Sequence, residues 1–272
     1  MTSRIPYHSH PTPRLGIWQC LPGAHLSHTL SRSTPNLAWI LLDMEHGHIS
    51  DDAMHASILA LAPTNVSSFV RVVEGSTANI KRAYDAGAHG VMVPLVESKS
   101  DAERAVRAAK FPRPGTKGGG GGRRGAHERF GLKNGVEYLQ QANDSLVLIV
   151  QIETREALEH VDEIAAVEGI DILFAGPFDL GNNIGYPMLD PENPPEELMA
   201  ALMKILKAAH DAGKQAGIYC VNGEQAKRYI GLGFDMVNIM NDVGALMGHV
   251  ALAASNALGE KGESGPSGRG GY

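Results

Sequence analysis

Short apolar runs alternate with stretches of helical periodicity along most of this sequence. Most of the runs are apolar throughout instead of alternating with polar residues, which is typical of parallel strands covered on both faces. They are Leu15–Gln19, Trp39–Asp43, Ser68–Val73, Gly90–Val96, Leu146–Ile152, Ile170–Ala175, Gln215–Cys220 and Met236–Met240. A chain with eight such strands has few ways to bury all of them, and a closed barrel is one of them.

The segments between the strands carry helical periodicity. The clearest are Thr77–Ala86, Ser100–Lys110, Thr154–Val167, Pro195–Ala212 and Glu224–Leu232. Regular alternation of strand and helix over residues 15–258 predicts a single α/β domain, a (β/α)8 TIM barrel. We expect residues 1–14 to form an N-terminal extension and the Gly- and Ser-rich residues 259–272 to form a flexible tail.

An open doubly wound sheet is the competing architecture, but it usually has a Gly-rich phosphate-binding turn directly after the first strand. No such turn follows Gln19. The glycine run Gly118–Gly122 precedes Arg123 and Arg124 instead, and it lacks the Gly-Lys-Ser/Thr of a P-loop. We interpret this run as a flexible insertion, with an active-site lid as the alternative.

Composition narrows the classes of partner. The formal net charge of -6 leaves no basic footprint for nucleic acid. No apolar run approaches the roughly 18 residues of a membrane span, and the first residues lack the apolar segment of a secretory signal. The two cysteines, Cys20 and Cys220, cannot form a disulfide framework. We therefore expect a cytoplasmic protein whose partner is a small molecule.

Two successive strands lead to carboxylates at their carboxyl ends. Glu153 follows the fifth strand and Asp179 follows the sixth. The carboxyl ends of barrel strands form the active face, and a buried carboxylate is costly unless something pairs with it. We predict that the two carboxylates share a divalent cation, Mg2+ or Mn2+, with Co2+ as an alternative. Gln151 is two residues before Glu153 and so faces the same side of the strand. The competing interpretation is that each acid caps a helix.

Three further polar residues lie at the same end of the predicted barrel. His46 follows the second strand, with Asp43 and Glu45 near enough in sequence to orient its ring, and is the predicted general base or acid. Arg71 on the third strand is expected to hold a carboxylate or an enolate oxygen. A buried ion pair of Arg71 with Asp43 or Glu45 is the structural alternative, and the two roles are compatible.

Taken in order, these motifs resemble the HpcH/HpaI family of metal-dependent (class II) pyruvate aldolases over residues 15–257. The resembling segments are Leu42-Asp43-Met44-Glu45-His46, Val70-Arg71-Val72, Tyr84-Asp85-Ala86-Gly87, Gly90-Val91-Met92-Val93-Pro94, Val150-Gln151-Ile152-Glu153-Thr154-Arg155 and Gly176-Pro177-Phe178-Asp179-Leu180. Residues 138–144 and 176–185 are most similar to the branch that acts on 2-keto-3-deoxy sugar acids.

The resemblance implies a carbon–carbon lyase that reversibly cleaves a 4-hydroxy-2-oxo acid to pyruvate and an aldehyde. In that reading Glu153 and Asp179 hold the metal, which stabilises the enolate of pyruvate. Arg71 stabilises the enolate oxygen, and His46 with Asp43 serves proton transfer at the aldol hydroxyl. The metal acts as a Lewis acid, so no lysine Schiff base is required.

The resemblance also implies roles for residues around this centre. Gln151 positions water or pyruvate, and the backbone amides of Phe178 and Asp179 receive the pyruvate carboxylate. Asp85 reaches the site of a neighbouring subunit, which implies a homo-oligomer, with a homohexamer expected. The chain departs from the family pattern at residues 115–120, and at Phe178, where many members have a smaller residue.

Two other functions remain open at this point. The same enolate serves oxaloacetate decarboxylation or another pyruvate-enolate synthase reaction. A barrel that has lost catalysis and acts as a binding or assembly protein is the third reading, favoured only by the altered glycine loop.

Overall fold

The computed structural model describes residues 5–112 and 135–259, and its core is a closed parallel barrel. The strands are β1 Arg14–Gln19, β2 Leu37–Asp43, β3 Ser67–Arg71, β4 Gly90–Val93, β5 Val147–Ile152, β6 Ile172–Ala175, β7 Gln215–Ile218 and β8 Met236–Asn241. Each pairs in parallel with the next along the chain, and β8 pairs with β1. The predicted (β/α)8 fold is confirmed.

Helices connect the strands and surround the barrel. They are α1 Pro6–Ser9, α2 Ala24–Ser31, α3 Asp51–Leu61, α4 Thr77–Ala86, α5 Lys99–Ala109, α6 Gly135–Ser145, α7 Arg155–Glu159, α8 Val161–Ala165, α9 Pro177–Ile184, α10 Glu196–Asp211, α11 Gly223–Leu232 and α12 Asp242–Leu258. Within the two described ranges, no helix is both long and apolar enough to cross a membrane.

The prediction of one helix over residues 154–167 is wrong. His160 ends α7 and precedes α8, and its backbone is not helical (φ -96°, ψ 11°). Its ring Nδ1 lies 3.0 Å from the carbonyl oxygen of Glu156. Two helical backbone hydrogen bonds still span the break, from His160 N–H to the Glu156 carbonyl (3.1 Å) and from Ile164 N–H to the His160 carbonyl (3.0 Å).

Bulky side chains fill the barrel because glycines on neighbouring strands make room for them. All seven residues of β2 are buried, and its Trp39 lies against Gly16 of β1. A Cβ atom at Gly16 would lie 1.9 Å from the Trp39 ring, and one at Gly217 would lie 2.4 Å from the Phe174 ring. Interiors are packed too densely to absorb such overlaps, so glycine is required at both positions.

The amino end of the barrel is covered by the segment that precedes β1. Tyr7 of α1 is buried, its backbone N–H donates to Ser67 Oγ (2.8 Å), and its hydroxyl donates to Gln215 Oε1 (2.8 Å). Ser67 and Gln215 begin β3 and β7, so Tyr7 bridges the amino ends of two strands. The tail beyond Gly259 and the run Gly118–Gly122 lie outside the described residues.

Candidate active site

The carboxyl ends of β2, β3, β5 and β6 bring the predicted site residues together at one end of the barrel. Asp43 ends β2 and Arg71 ends β3, and the two are paired in register. Gln151 lies in β5, Glu153 follows that strand, and Asp179 lies in the first turn of α9 after β6. We call this region the mouth.

A buried bidentate ion pair lies at the base of the mouth. Arg71 Nε donates to Asp43 Oδ1 (2.9 Å) and Arg71 Nη2 donates to Asp43 Oδ2 (2.7 Å), and neither residue is exposed. Burial alone would raise the pKa of Asp43, but the hydrogen bonds and charge of Arg71 hold that pKa below its usual value. Asp43 is therefore a fixed carboxylate that orients the guanidinium.

Trp18 of β1 supports this pair, although the sequence motifs did not point to it. Its indole Nε1–H donates to Asp43 Oδ2 (3.1 Å), and the Arg71 guanidinium carbon lies 4.9 Å from the centre of its ring. A cation over an indole face is attracted by the ring electrons. Trp18 thus contacts both members of the pair, and no local sequence signal reports it because its partners lie on other strands.

The turn after β2 places Glu45 and His46 at the mouth. Asp43 Oδ1 accepts the backbone N–H groups of Glu45 (3.1 Å) and His46 (3.3 Å). Glu45 Oε2 lies 3.0 Å from Arg71 Nη1 and 3.9 Å from His46 Nε2. Asp43 therefore holds the backbone of His46, and Glu45 is the acid near its ring. The His46 side chain is 43% exposed, so it is accessible to a molecule in the mouth.

Glu153 is buried and accepts two hydrogen bonds. The Leu95 backbone N–H donates to its Oε1 (2.8 Å) and Gln151 Nε2 donates to its Oε2 (3.0 Å). Burial raises the pKa of Glu153 to about 7, the Leu95 hydrogen bond opposes this rise, and the charge of Asp179 adds to it. Leu95 has a φ of +51°, which is unfavourable for a branched side chain, and the strained backbone points its N–H at Glu153.

The helix-cap interpretation does not hold for Glu153. The hydroxyl of Thr154 accepts the Ala157 N–H (3.1 Å) and caps α7 in its place. Asp179 lies in the first turn of α9, whose N-cap is Gly176, and no side-chain capping bond forms there. A Cβ atom at Gly176 would lie 3.1 Å from Glu153 Oε2, so glycine keeps the space beside this carboxylate open.

The charges of the mouth fit a divalent cation. Among the described residues, four carboxylates face one guanidinium there: Asp43, Glu45, Glu153 and Asp179 against Arg71. Arg71 already pairs with Asp43 and Glu45. Burial raises the pKa of Glu45, the charges of Asp43 and Asp179 add to this rise, and the charge of Arg71 opposes it. Glu153 and Asp179 remain, and their hard oxygens suit Mg2+ or Mn2+. No set of three or more His, Cys, Asp or Glu in the described chain forms a metal cluster, so other ligands would be water or substrate.

Of the two remaining predicted site residues, Phe178 adjoins Asp179, whereas Asp85 lies apart from this cluster. Phe178 precedes Asp179 in α9 and its ring meets that of Tyr219 edge to face (6.2 Å between centres). Asp85 lies near the end of α4. Because α4 runs from the carboxyl end of β3 back to the amino end of β4, its last turn lies away from the mouth. Asp85 is therefore not part of the site within one chain.

Comparison with known proteins identifies the family. The sequence profile of the HpcH/HpaI aldolase/citrate lyase family matches residues 14–247. The chain belongs to this family. A 4-hydroxy-2-oxo-heptane-1,7-dioate aldolase from Shigella flexneri is 35% identical over 81% of this chain and 80% of the relative. A hydroxypyruvate/pyruvate aldolase from Rhizorhabdus wittichii is 33% identical over 86% of this chain and 90% of the relative.

The barrel also matches a solved structure of this family. A crystal structure of an HpcH/HpaI aldolase/citrate lyase family protein from Burkholderia cenocepacia superimposes with a TM-score of 0.82 at 29% identity, covering 91% of this chain and 95% of that chain. The predicted family is confirmed, and the aldolase relatives support the predicted class of carbon–carbon lyase. The mouth lies at the carboxyl ends of the strands, which is the end of the barrel where enzymes of this fold carry their active sites.

Proposed function

We propose that this protein is a metal-dependent aldolase that cleaves a 4-hydroxy-2-oxo acid to pyruvate and an aldehyde. The observation that carries the proposal is the buried carboxylate Glu153 beside Asp179, next to a guanidinium already neutralised by Asp43 and Glu45. Such an arrangement favours binding of a cation together with an oxygen-rich anion. Pyruvate, with a carboxylate and an adjacent keto oxygen, matches that description.

The chemistry needs a stabilised enolate and a group that moves a proton. A divalent ion held by Glu153 and Asp179 would supply Lewis-acid stabilisation of negative charge on the keto oxygen. Arg71, fixed by Asp43 and Trp18, presents a preorganised guanidinium to the same charge. Gln151 donates to Glu153 and lies 3.5 Å from Arg71 Nη1, so it links the two halves of the site.

Proton transfer is assigned to His46. In cleavage it accepts the proton of the C4 hydroxyl while the C3–C4 bond breaks, the electron pair of that bond forms the enolate, and C4 becomes the aldehyde carbon. Protonation at C3 then gives pyruvate. Glu45, 3.9 Å from the His46 ring, stabilises the imidazolium formed in the first step. Phe178 and Asp179 contribute backbone amides to the pyruvate carboxylate in this proposal.

The test is pyruvate release from a panel of 4-hydroxy-2-oxo acids, assayed in EDTA and after addition of Mg2+, Mn2+ or Co2+. We expect no release in EDTA, restoration by the metals, and loss in Glu153→Gln and His46→Ala. Glu159→Gln, an exposed glutamate of α7, is the matched control. Full activity in EDTA would refute the metal role. Turnover of oxaloacetate without aldehyde formation from any hydroxy acid would favour the decarboxylase alternative.

The substrate branch is part of the proposal. Its support is the likeness of residues 138–144 and 176–185 to the 2-keto-3-deoxy sugar-acid branch, while the two relatives named above act on a heptanedioate and on hydroxypyruvate or pyruvate by their names. The panel therefore includes 2-keto-3-deoxy sugar acids and a dicarboxylate. Faster release from the dicarboxylate would assign the chain to the other branch.

Self-association is proposed from helix α12. Among its residues only Asp242 is buried, although the helix is rich in apolar side chains. Leu246, Met247 and Val250 are 52%, 64% and 66% exposed. A contiguous apolar surface of this kind marks a protein interface. A homo-oligomer, with a hexamer expected, would cover it and could bring Asp85 to a neighbouring mouth. The buried free thiols of Cys20 and Cys220 support the cytoplasmic location we propose.

A further inference from the structure

The turn that carries His46, residues 44–48, is held at both of its ends. At its start, Asp43 Oδ1 accepts two successive N–H groups of the turn (3.1 and 3.3 Å). At its end, the His48 N–H donates to the carbonyl oxygen of Cys20 (2.8 Å), the residue that follows β1. The position of His46 therefore depends on the backbone after β1 as well as on β2.

The turn and the Cys20 backbone also lie in close contact next to His46. A Cβ atom at Gly47 would lie 2.9 Å from the Cys20 carbonyl oxygen and 2.3 Å from that of Asp43. Packed interiors do not absorb such overlaps, so glycine is required where the turn passes these two carbonyl groups. A shift of the Cys20 backbone would therefore move the turn both through the hydrogen bond and through this contact.

Asp242, the first residue of α12, fixes the backbone of Cys20. It is 2% exposed, its Oδ1 accepts the Cys20 N–H and its Oδ2 accepts the Leu21 N–H (both 2.9 Å). Gln19 holds the same segment from the other side, since its Nε2 donates to the Leu21 carbonyl oxygen (2.9 Å) and its Oε1 accepts the Ser27 hydroxyl (2.8 Å). All four backbone polar groups of residues 20 and 21 are thus hydrogen-bonded, which fixes the segment.

The thiol of Cys20 takes no part in this arrangement. Burial raises the pKa of the thiol to about 12, the charges of Asp43 and Asp242 add to the rise, and the charge of Arg71 opposes it. The thiol is therefore neutral at physiological pH, and Cys20 acts through its backbone groups.

Resting on the proposed aldolase function, we propose that Asp242 is a positioning residue for His46. It acts through a hydrogen-bond chain that runs from its carboxylate through the Cys20 backbone to the His48 N–H, and it contacts neither substrate nor metal. The predicted metal ligands follow β5 and β6, across the barrel from β1 and β2. Asp242 should therefore affect proton transfer at the C4 hydroxyl more than it affects binding of the cation.

The deciding experiment is a double-mutant cycle of Asp242→Asn and His46→Ala, measured by pyruvate release from the best hydroxy acid of the panel with Mn2+ present. Asparagine keeps one acceptor oxygen but turns an NH2 group toward one of the two backbone donors, which displaces the Cys20 segment. We expect Asp242→Asn to lower kcat about tenfold, because a small displacement of a catalytic group is costly, while KM and the Mn2+ affinity from calorimetry stay within about twofold. In the His46→Ala background it should change kcat less than about twofold, because the group that it positions is absent.

Asp235→Asn is the matched control. Asp235 precedes β8 as Asp242 follows it, and its Oδ2 accepts the Ala216 N–H (2.9 Å) at the amino end of the barrel. This variant alters the same kind of contact far from the mouth, so its kcat should stay within about twofold of wild type. Three results would each overturn the proposal: unchanged kcat in Asp242→Asn, an equal loss with and without His46, or a loss of Mn2+ affinity together with kcat.

Hydrogen exchange followed by mass spectrometry separates failure of the positioning role from failure of the proposed function, because it needs no turnover. In Asp242→Asn the peptide that covers residues 44–50 should exchange faster than in wild type, and the peptide that covers residues 67–71 should not change. Unchanged exchange over residues 44–50 would refute the connection from Asp242 to the turn. Faster exchange, with no pyruvate release by wild type from any hydroxy acid, would refute the aldolase function and leave the connection standing.

Discussion

Replacement of Glu153 by glutamine should stabilise the metal-free protein. The buried carboxylate has its pKa raised from 4.5 to about 7, mainly by burial. At 1.36 kcal/mol per pKa unit, the ionised form costs the metal-free fold about 3 kcal/mol above pH 7. Glutamine removes this charge. The glutamine side chain has only one acceptor oxygen, whereas Leu95 N–H and Gln151 Nε2 both donate at this position. One donor therefore loses its acceptor, which costs about 1 kcal/mol. The expected net gain is about 2 kcal/mol.

The sign of the pH dependence follows from the raised pKa. The folded protein binds the Glu153 proton more tightly than the unfolded chain does, so the destabilisation is absent below about pH 4.5 and grows as pH rises to about 7. The difference between Glu153→Gln and wild type should therefore be small at pH 5 and full at pH 8. For a domain of this size about 2 kcal/mol corresponds to roughly 4 to 8 °C in Tm.

The assay is thermal unfolding at pH 5 and pH 8, in EDTA and with Mn2+, with Glu159→Gln as the control. In EDTA at pH 8 the variant should melt above wild type. Mn2+ should raise the Tm of wild type and leave the variant nearly unchanged, because ligand binding stabilises only the form that binds it. A variant that melts below wild type at pH 8 in EDTA, or a difference equal at both pH values, would refute the reasoning.

Three further predictions follow from single contacts. Trp18→Phe removes the Nε1–H donated to Asp43 and should lower kcat about tenfold while Mn2+ affinity by calorimetry stays within about twofold; an equal loss of affinity would contradict the positioning role. Leu246→Lys should reduce the mass measured by light scattering, whereas Asn256→Lys on the same helix should not. Gly47→Ala places a Cβ atom 2.3 Å from the Asp43 carbonyl oxygen and should cost about 1 to 3 kcal/mol in urea unfolding; Gly223→Ala, with open space around it, is the control.

The sequence was most informative where a local pattern repeats. The uninterrupted apolar runs predicted parallel strands, and helix α4 begins and ends at the predicted residues Thr77 and Ala86. Periodicity averages over many residues, so it survives local irregularities. The break at His160 was missed because it is a change in the backbone angles of one residue, which periodicity does not report, and neither glycine nor proline marks it.

For the candidate site, the sequence indicated which residues lie at the mouth, and the structure showed how they pair. Sequence alone placed Asp43, Arg71, Gln151 and Glu153 at strand ends, because in a barrel the position along each strand fixes which end a residue occupies. It left open whether Arg71 pairs with acids or faces substrate, and the structure shows the pair. Asp179 was found by the same reasoning, one turn beyond its strand.

Only the tertiary structure decided which side chains meet across strands. The contacts of Trp18 with Asp43, of Leu95 with Glu153 and of Asn241 with Tyr219 join residues 25, 58 and 22 positions apart. Each depends on the register of strands that closes the barrel and on the direction of one side chain or N–H group, and no local pattern encodes these. The sequence determined the barrel and the charges at its mouth, and the packing determined which of those charges remain available for a cation.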